Sequence, residues 1–140
     1  MPQVYLKKLQ MEGQTVNPLF TFLEVTIEKI SKEKAILRLP FRNDFIQGAG
    51  VLAGGIMATL ADEAMAHVVL ANLQTGENTA TIEMNIRYLK AIARGDIIAE
   101  AVLLKKGKRV ITVQADILDD KRRLLAQTGA SFMVIEKKPG

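Results

Sequence analysis

Apolar and polar positions recur with a definite period over most of the chain. Val4, Leu6, Leu9 and Met11 are spaced as in a short helix that ends near Gly13. In "FTFLEVTIEKI", Phe22, Glu24, Thr26 and Glu28 fall on one side and Leu23, Val25 and Ile27 on the other, which is the period of a half-buried strand. "SKEK" then supplies a polar turn. "AILRLPF" continues as a second strand with Ala35, Leu37 and Leu39 on one face, stopped by Pro40. The two predict a hairpin.

Beyond a glycine-rich loop, a nearly continuous apolar segment predicts one long helix from near Ala53 to near Leu73, just before a Gln74 to Asn78 turn. "TATIEMNIRYLK" alternates, with Ala80, Ile82, Met84, Ile86 and Tyr88 on one face and Thr79, Thr81, Glu83, Asn85 and Arg87 on the other. "ARGD", "KGKR" and "DDKRR" separate three further strands, "IIAEAVLLKK", "VITVQADIL" and "LLAQTGASFMVIE", so four successive strands read as an antiparallel meander. No repeat or Pro/Ser-rich linker interrupts the order, and residues 1–140 are expected to form a single domain. An apolar helix needs cover on most of its faces, and a strongly curved sheet wrapped round it supplies that cover. The expectation is an α+β architecture, the hotdog fold: a long central helix wrapped by a curved antiparallel sheet of about six strands. One sheet leaves edge strands and part of the helix bare, so a dimer that pairs two sheets edge to edge is expected.

Composition narrows the chemistry. There is no cysteine, which excludes thiol nucleophiles, disulfides and zinc–thiolate sites. The start "MPQVYLKKLQMEGQ" mixes lysines and glutamines with its apolar residues, unlike a signal peptide, and a cytoplasmic address is expected. Residues 50–73 come nearest to a membrane span, but Asp62, Glu63, His67 and the glycines make insertion costly, so no membrane partner is expected. The net charge of +4 is modest and the chain has no tryptophan, which argues against nucleic acid. A mild positive balance suits an anionic small molecule such as a phosphorylated carrier.

The polar residues of the central helix form a stripe. At about 100° per residue, Gly55, Thr59, Asp62, Glu63 and His67 fall in one sector. Glu63 has Thr59 and His67 four residues away on either side and pairs with them in a structural reading. Asp62 has no cationic partner on its own helix. Its position leaves two readings open, a carboxylate that reaches solvent or caps a loop, and a desolvated general base. Gly54 and Gly55 favour the second, because free N–H groups at a helix start hold negative charge on a carbonyl oxygen. A carboxylate that aims water and an N–H that polarises a thioester together make a hydrolase. Gly55 and Asp62 are seven residues apart, hence about 10 Å along the helix at about 1.5 Å per residue, too far to serve one carbonyl. The donor must then come from a second subunit.

These residues resemble the PaaI-like acyl-CoA thioesterases of the hotdog superfamily. "QGAGVLAGGIMATLAD", residues 47–62, is similar to that family's pattern of Asn, two residues, Gly, two residues, His-Gly-Gly and an Asp seven positions after the second Gly. Looser similarity extends through "TIEMNIRYLKAIARGD" and "LLAQTGASFMVIE". The resemblance implies Asp62 as base or nucleophile, the Gly54 and Gly55 amides as oxyanion hole, and Thr81 where the family often has a Ser or Thr that positions water. It implies sites at a dimer interface, a homotetramer of two dimers, and neither metal nor organic cofactor. Gln47 stands where the family has Asn, and Ala53 where it has His. Gln47 still offers an amide N–H, one methylene further out, whereas Ala53 donates nothing. By alternation Thr81 sits on the polar strand face. Arg87, Lys90 and Arg94, with Lys106, Lys108 and Arg109 of "KKGKR", are candidates for the phosphates of coenzyme A. His67, the only histidine, reads as a structural partner of Glu63. Two other functions compete: a non-catalytic acyl-CoA binding or sensing protein, suggested by Gln47 and Ala53, and an enoyl-CoA hydratase or dehydratase, suggested by His67.

Overall fold

The computed structural model describes residues 2–136. Helix α1 spans Pro2–Leu9 and buries Leu9, as the first apolar spacing predicts. The next segment departs from expectation. Instead of one strand from Phe20 onward, Pro18–Leu23 forms a short helix, α2. Asn17 caps it by accepting the Phe20 N–H on its side chain (3.1 Å), and Pro18 occupies the first turn, where its missing N–H costs nothing. The i, i+3 pair Phe20 and Leu23 is buried, while Phe22 between them is 69% exposed. Glu24 ends the helix at φ 61°, and the Val25 N–H returns to the Phe20 carbonyl at 3.0 Å.

A non-glycine residue in that left-handed conformation costs about 1–2 kcal/mol, and glycine loses about 0.5–1 kcal/mol of unfolded-state freedom. Glu24→Gly should therefore raise stability by about 0.5 kcal/mol, read as a higher denaturation midpoint; a lower one would contradict this account of the cap.

Strands β1 (Thr26–Ile30) and β2 (Lys34–Leu39) form the expected hairpin, closed where the Ser31 N–H meets the Lys34 carbonyl at 2.7 Å. Ala35, Leu37 and Leu39 are buried, and Arg38 on the other face pairs with Glu28 and Asp96. A 3-10 turn at Asn43–Phe45 leads to helix α3 (Gly54–Asn72), followed by β3 (Glu77–Tyr88), β4 (Ile97–Lys106), β5 (Val110–Asp119) and β6 (Leu124–Glu136). All six strands are antiparallel in one sheet of order β1-β2-β4-β5-β6-β3. The expected four-strand meander is correct only for β4-β5-β6. β3 lies beyond β6 at the far edge, because α3 carries the chain across the concave face before β3 begins. Residues 89–96 then carry it back, and β4 pairs with β2.

The concave face is filled by one side of α3. Met57, Leu60, Ala64, Met65 and Val68 pack with Leu37, Ala101, Ile111, Val113, Ile117 and Phe132 in a continuous buried core. Each fully buried Leu, Ile, Val, Met or Phe among them contributes about 1.5–3 kcal/mol. By length and composition α3 passes as a membrane span, yet its most apolar side is the one turned onto the sheet. The opposite side, with Gly55, Thr59, Asp62, Glu63, Ala66 and Leu70, is only partly covered. Beside it runs β3, twelve residues long, whose outer edge carries no further strand among the described residues.

Candidate active site

The approach to α3 is a loop fastened at several points. The Gln47 N–H bonds the Val51 carbonyl (2.9 Å), the Gly50 N–H bonds the Gln47 carbonyl (2.9 Å), and the Leu52 and Ala53 N–H groups reach the Ile92 and Phe45 carbonyls (2.8 and 2.9 Å). Gly50 has φ 84°, which this turn requires. Ala53 occupies the N-cap position in extended conformation and its methyl caps nothing. Among the described residues the N–H groups of Gly54 and Gly55 therefore have no partner, and they point out of the positive end of a 19-residue helix. A Ser or Asp cap would contribute about 1 kcal/mol but would occupy such donors.

The two glycines have different causes. A Cβ on Gly54 would stand 2.9 Å from the Tyr88 ring, whose hydroxyl donates to the Gly54 carbonyl at 2.8 Å. A Cβ on Gly55 would meet nothing within 4 Å. Gly54 is thus explained by packing inside the chain, whereas Gly55 is bare toward the outside. Gln47 folds back so that its side-chain oxygen accepts the Ala49 N–H (2.5 Å), which leaves its NH2 free to donate. Gln47, Leu52, Gly54, Met57, Tyr88 and Lys90 line a cleft of about 360 Å³ beside the helix start.

Two turns along α3, Asp62 is half-buried and one carboxylate oxygen is fully buried with no hydrogen-bond partner among the described residues. The loop-capping reading finds no partner. Burial raises its pKa, since nothing pays for desolvating the charge. Glu63 is raised as well, first by burial and then by the charge of Asp62, with the Asn17 amide offsetting part of this.

His67 does not pair with the Glu63 side chain as expected. Its Nδ1–H donates to the Glu63 main-chain carbonyl (2.6 Å), and its Nε2 accepts from the Tyr5 hydroxyl (2.8 Å), to which Asn17 donates in turn (2.9 Å). That network assigns the neutral Nδ1–H tautomer. Burial lowers the imidazole pKa in the same direction. Thr59 likewise bonds the Gly55 carbonyl (2.8 Å), not Glu63, because a short hydroxyl at i reaches the i−4 carbonyl more directly. Tyr5 and Asn17 are missing from the sequence-derived set. Their only local signal is the Asn17-Pro18 pair, a helix-start signal that lies just ahead of the expected strand.

Thr81 also departs from the sequence reading. The β3–β6 register shifts between Thr81 and Glu83, a bulge that breaks strict alternation. Thr81 lies opposite the buried Phe132 and hence on the concave face, while Glu83, Asn85 and Arg87 lie opposite Ser131, Gly129 and Gln127 on the convex one. Thr81 is exposed, beside the free edge. The basic candidates do not gather within the chain. Lys90 lines the cleft at the helix start, and Arg94 lies in the turn before Gly95. Arg87 lines a convex-face cleft with Glu83 and Asp116. Lys106, Lys108 and Arg109 stand beside Asn72 and Leu73, at the other end of a helix about 28 Å long. Among the described residues no cluster of three or more His, Asp and Glu side chains is placed to hold a metal ion.

The sequence model of the thioesterase superfamily matches residues 49–126, which contain the helix start, Asp62 and β3. A Saccharolobus solfataricus protein named provisionally as an esterase is 26% identical over 133 residues, 95% of this chain and 94% of that one. Human acyl-coenzyme A thioesterase 13 is 27% identical over 106 residues, 74% of this chain and 75% of that one. A solved variant of the phenylacetic acid degradation protein PaaI from Thermus thermophilus superposes with a TM-score of 0.77 at 19% identity, covering 84% of this chain and 98% of that one, and so shares the hotdog fold. With more than half of its length matched by the family model, around the uncapped helix start and the desolvated carboxylate, this chain belongs to the thioesterase superfamily.

Proposed function

We propose that this protein hydrolyses acyl-coenzyme A thioesters at sites shared between two subunits. The observation that carries the reading is the pairing of features on one helix: an unpartnered, partly desolvated carboxylate at Asp62 and unpartnered N–H groups at Gly54 and Gly55. Asp62 takes a proton from water as the water oxygen adds to the thioester carbonyl carbon. The N–H groups hold the oxyanion, the carbon–sulfur bond breaks, and the proton on Asp62 passes to the departing thiolate. The likeness to an acyl-coenzyme A thioesterase supports the choice of thioester.

Seven residues of helix, about 10 Å, separate Gly55 from Asp62, so the two act on one carbonyl only across a subunit boundary. The free edge of β3 supports a two-fold pairing with the same strand of a second copy. Antiparallel pairing sets the start of one β3 beside the end of the other, where Tyr88 packs on Gly54. It also brings the Lys106, Lys108 and Arg109 hairpin of one subunit toward Lys90 of its partner, a basic margin suited to coenzyme A phosphates. In this reading Gln47 donates its free amide near the carbonyl, Thr81 at the paired edge orients the water, two dimers form a tetramer, and the setting is the cytoplasm. The test is an acyl-CoA panel with a thiol reagent. Thiol release is expected; binding without release would overturn the catalytic reading in favour of a binding protein.

A further inference from the structure

Asp62 divides the partly covered face of α3 into two arms. Toward the helix start, Thr59 and Gly55 lead to the cleft that holds Gln47 and Lys90. Toward the helix end, Ala66 leads to Leu70, eight residues and about 12 Å from Asp62. Leu70 walls a second cleft, about 660 Å³, together with Pro2, Tyr5, Asn78 and Ile135. Its walls are mainly apolar, and among the described residues no Lys or Arg lines it.

Tyr5 is built into this wall. Its hydroxyl donates to His67 Nε2 at 2.8 Å and accepts from Asn17 at 2.9 Å, and its ring lies 5.7 Å from the imidazole. Swinging it aside would leave a buried ring nitrogen unpaired. Helix α1 lies outside residues 49–126, so the family match assigns Tyr5 no role.

We propose that this second cleft receives the far end of the substrate's acyl group, and that Tyr5 and Leu70 set the acyl length accepted. The proposal rests on the thioesterase reading above. The thioester lies at Asp62, and the acyl chain runs over Ala66 toward Leu70. The small Ala66 on the path and a fixed aromatic wall beside Leu70, about 12 Å from Asp62, suit a medium-length aliphatic group.

Binding tests this independently of turnover. In an Asp62→Asn background, calorimetry with straight-chain acyl-CoAs from acetyl to myristoyl should show affinity rising by up to about fourfold per added methylene until the cleft is full. Adding Leu70→Trp should weaken the longer chains about tenfold more than acetyl-CoA, the equivalent of losing about two buried methylenes. Leu70→Ala, which adds room and is milder on folding, should move the tightest-binding length upward and decides the matter if the Trp variant does not fold. Affinities unchanged in profile, or weakened equally across the panel and for free coenzyme A, would overturn the assignment. A wild-type chain that binds with this profile but releases no thiol would instead sink the catalytic reading and leave the cleft in place.

Discussion

Asp62→Asn is expected to lower kcat for thiol release by about 10²–10⁴-fold, the usual contribution of a positioned general base, while making the protein more stable. The two effects share one cause. Burial raises the Asp62 pKa in the fold, so the ionised form is less comfortable there than in the unfolded chain. For a raised carboxylate the associated stability is present below the unfolded pKa and is lost as pH rises through the folded one. At neutral pH wild type therefore carries a destabilising charge that asparagine lacks. The melting-temperature gain of the variant should grow as pH climbs above the ordinary carboxylate range, level off above the folded pKa, and disappear in acid. In wild type kcat/KM should rise through that same folded pKa, because only the ionised group accepts a proton. Glu63, raised by burial and by the charge of Asp62, adds to the same pH trend in stability. Undiminished turnover in the Asn variant would contradict the account.

Gly55→Pro is expected to cost about 10²–10³ in kcat, the loss associated with removing one oxyanion donor. Proline is tolerated in the first turn of a helix, and a Cβ at this position meets nothing within 4 Å beyond the adjoining helix backbone. The substitution removes an N–H that α3 does not use. Far-UV circular dichroism should match wild type, with the loss confined mainly to kcat. Gly54 is a poorer target, since any Cβ there displaces the Tyr88 ring.

The sequence carried the parts of the fold set by strong local periodicity. The buried Ala35, Leu37 and Leu39 face, the hairpin before it, and the limits of α3 all follow from apolar spacing and flanking turns. Three features escaped. α2 escaped because "FTF" alternates as a strand does while Phe20 and Leu23 also stand at helical spacing, and Asn17 with Pro18 decides between the two. The place of β3 escaped because "ARGD" reads as a turn between neighbouring strands, whereas residues 89–96 form a longer connection that returns the chain from the β6 side of the sheet to β2. The face of Thr81 escaped because a bulge adds one residue without any glycine to announce it. At the site, Asp62 and the two glycines were legible from spacing. The Tyr5, Asn17 and His67 chain was not, since its contacts span twelve to sixty-two residues and form only once α1 lies on α3.

The central claim, that one subunit supplies the carboxylate and its partner the N–H donors, is tested most directly by mixing. Asp62→Asn and Gly55→Pro subunits, each nearly inactive alone, are refolded together in equal amounts and assayed for thiol release. Half of randomly paired dimers are mixed, and each mixed dimer holds one site with both groups intact, so about a quarter of wild-type activity should return. A mixture no more active than its parents, with subunit exchange confirmed, would show that carboxylate and donors do not meet across the interface.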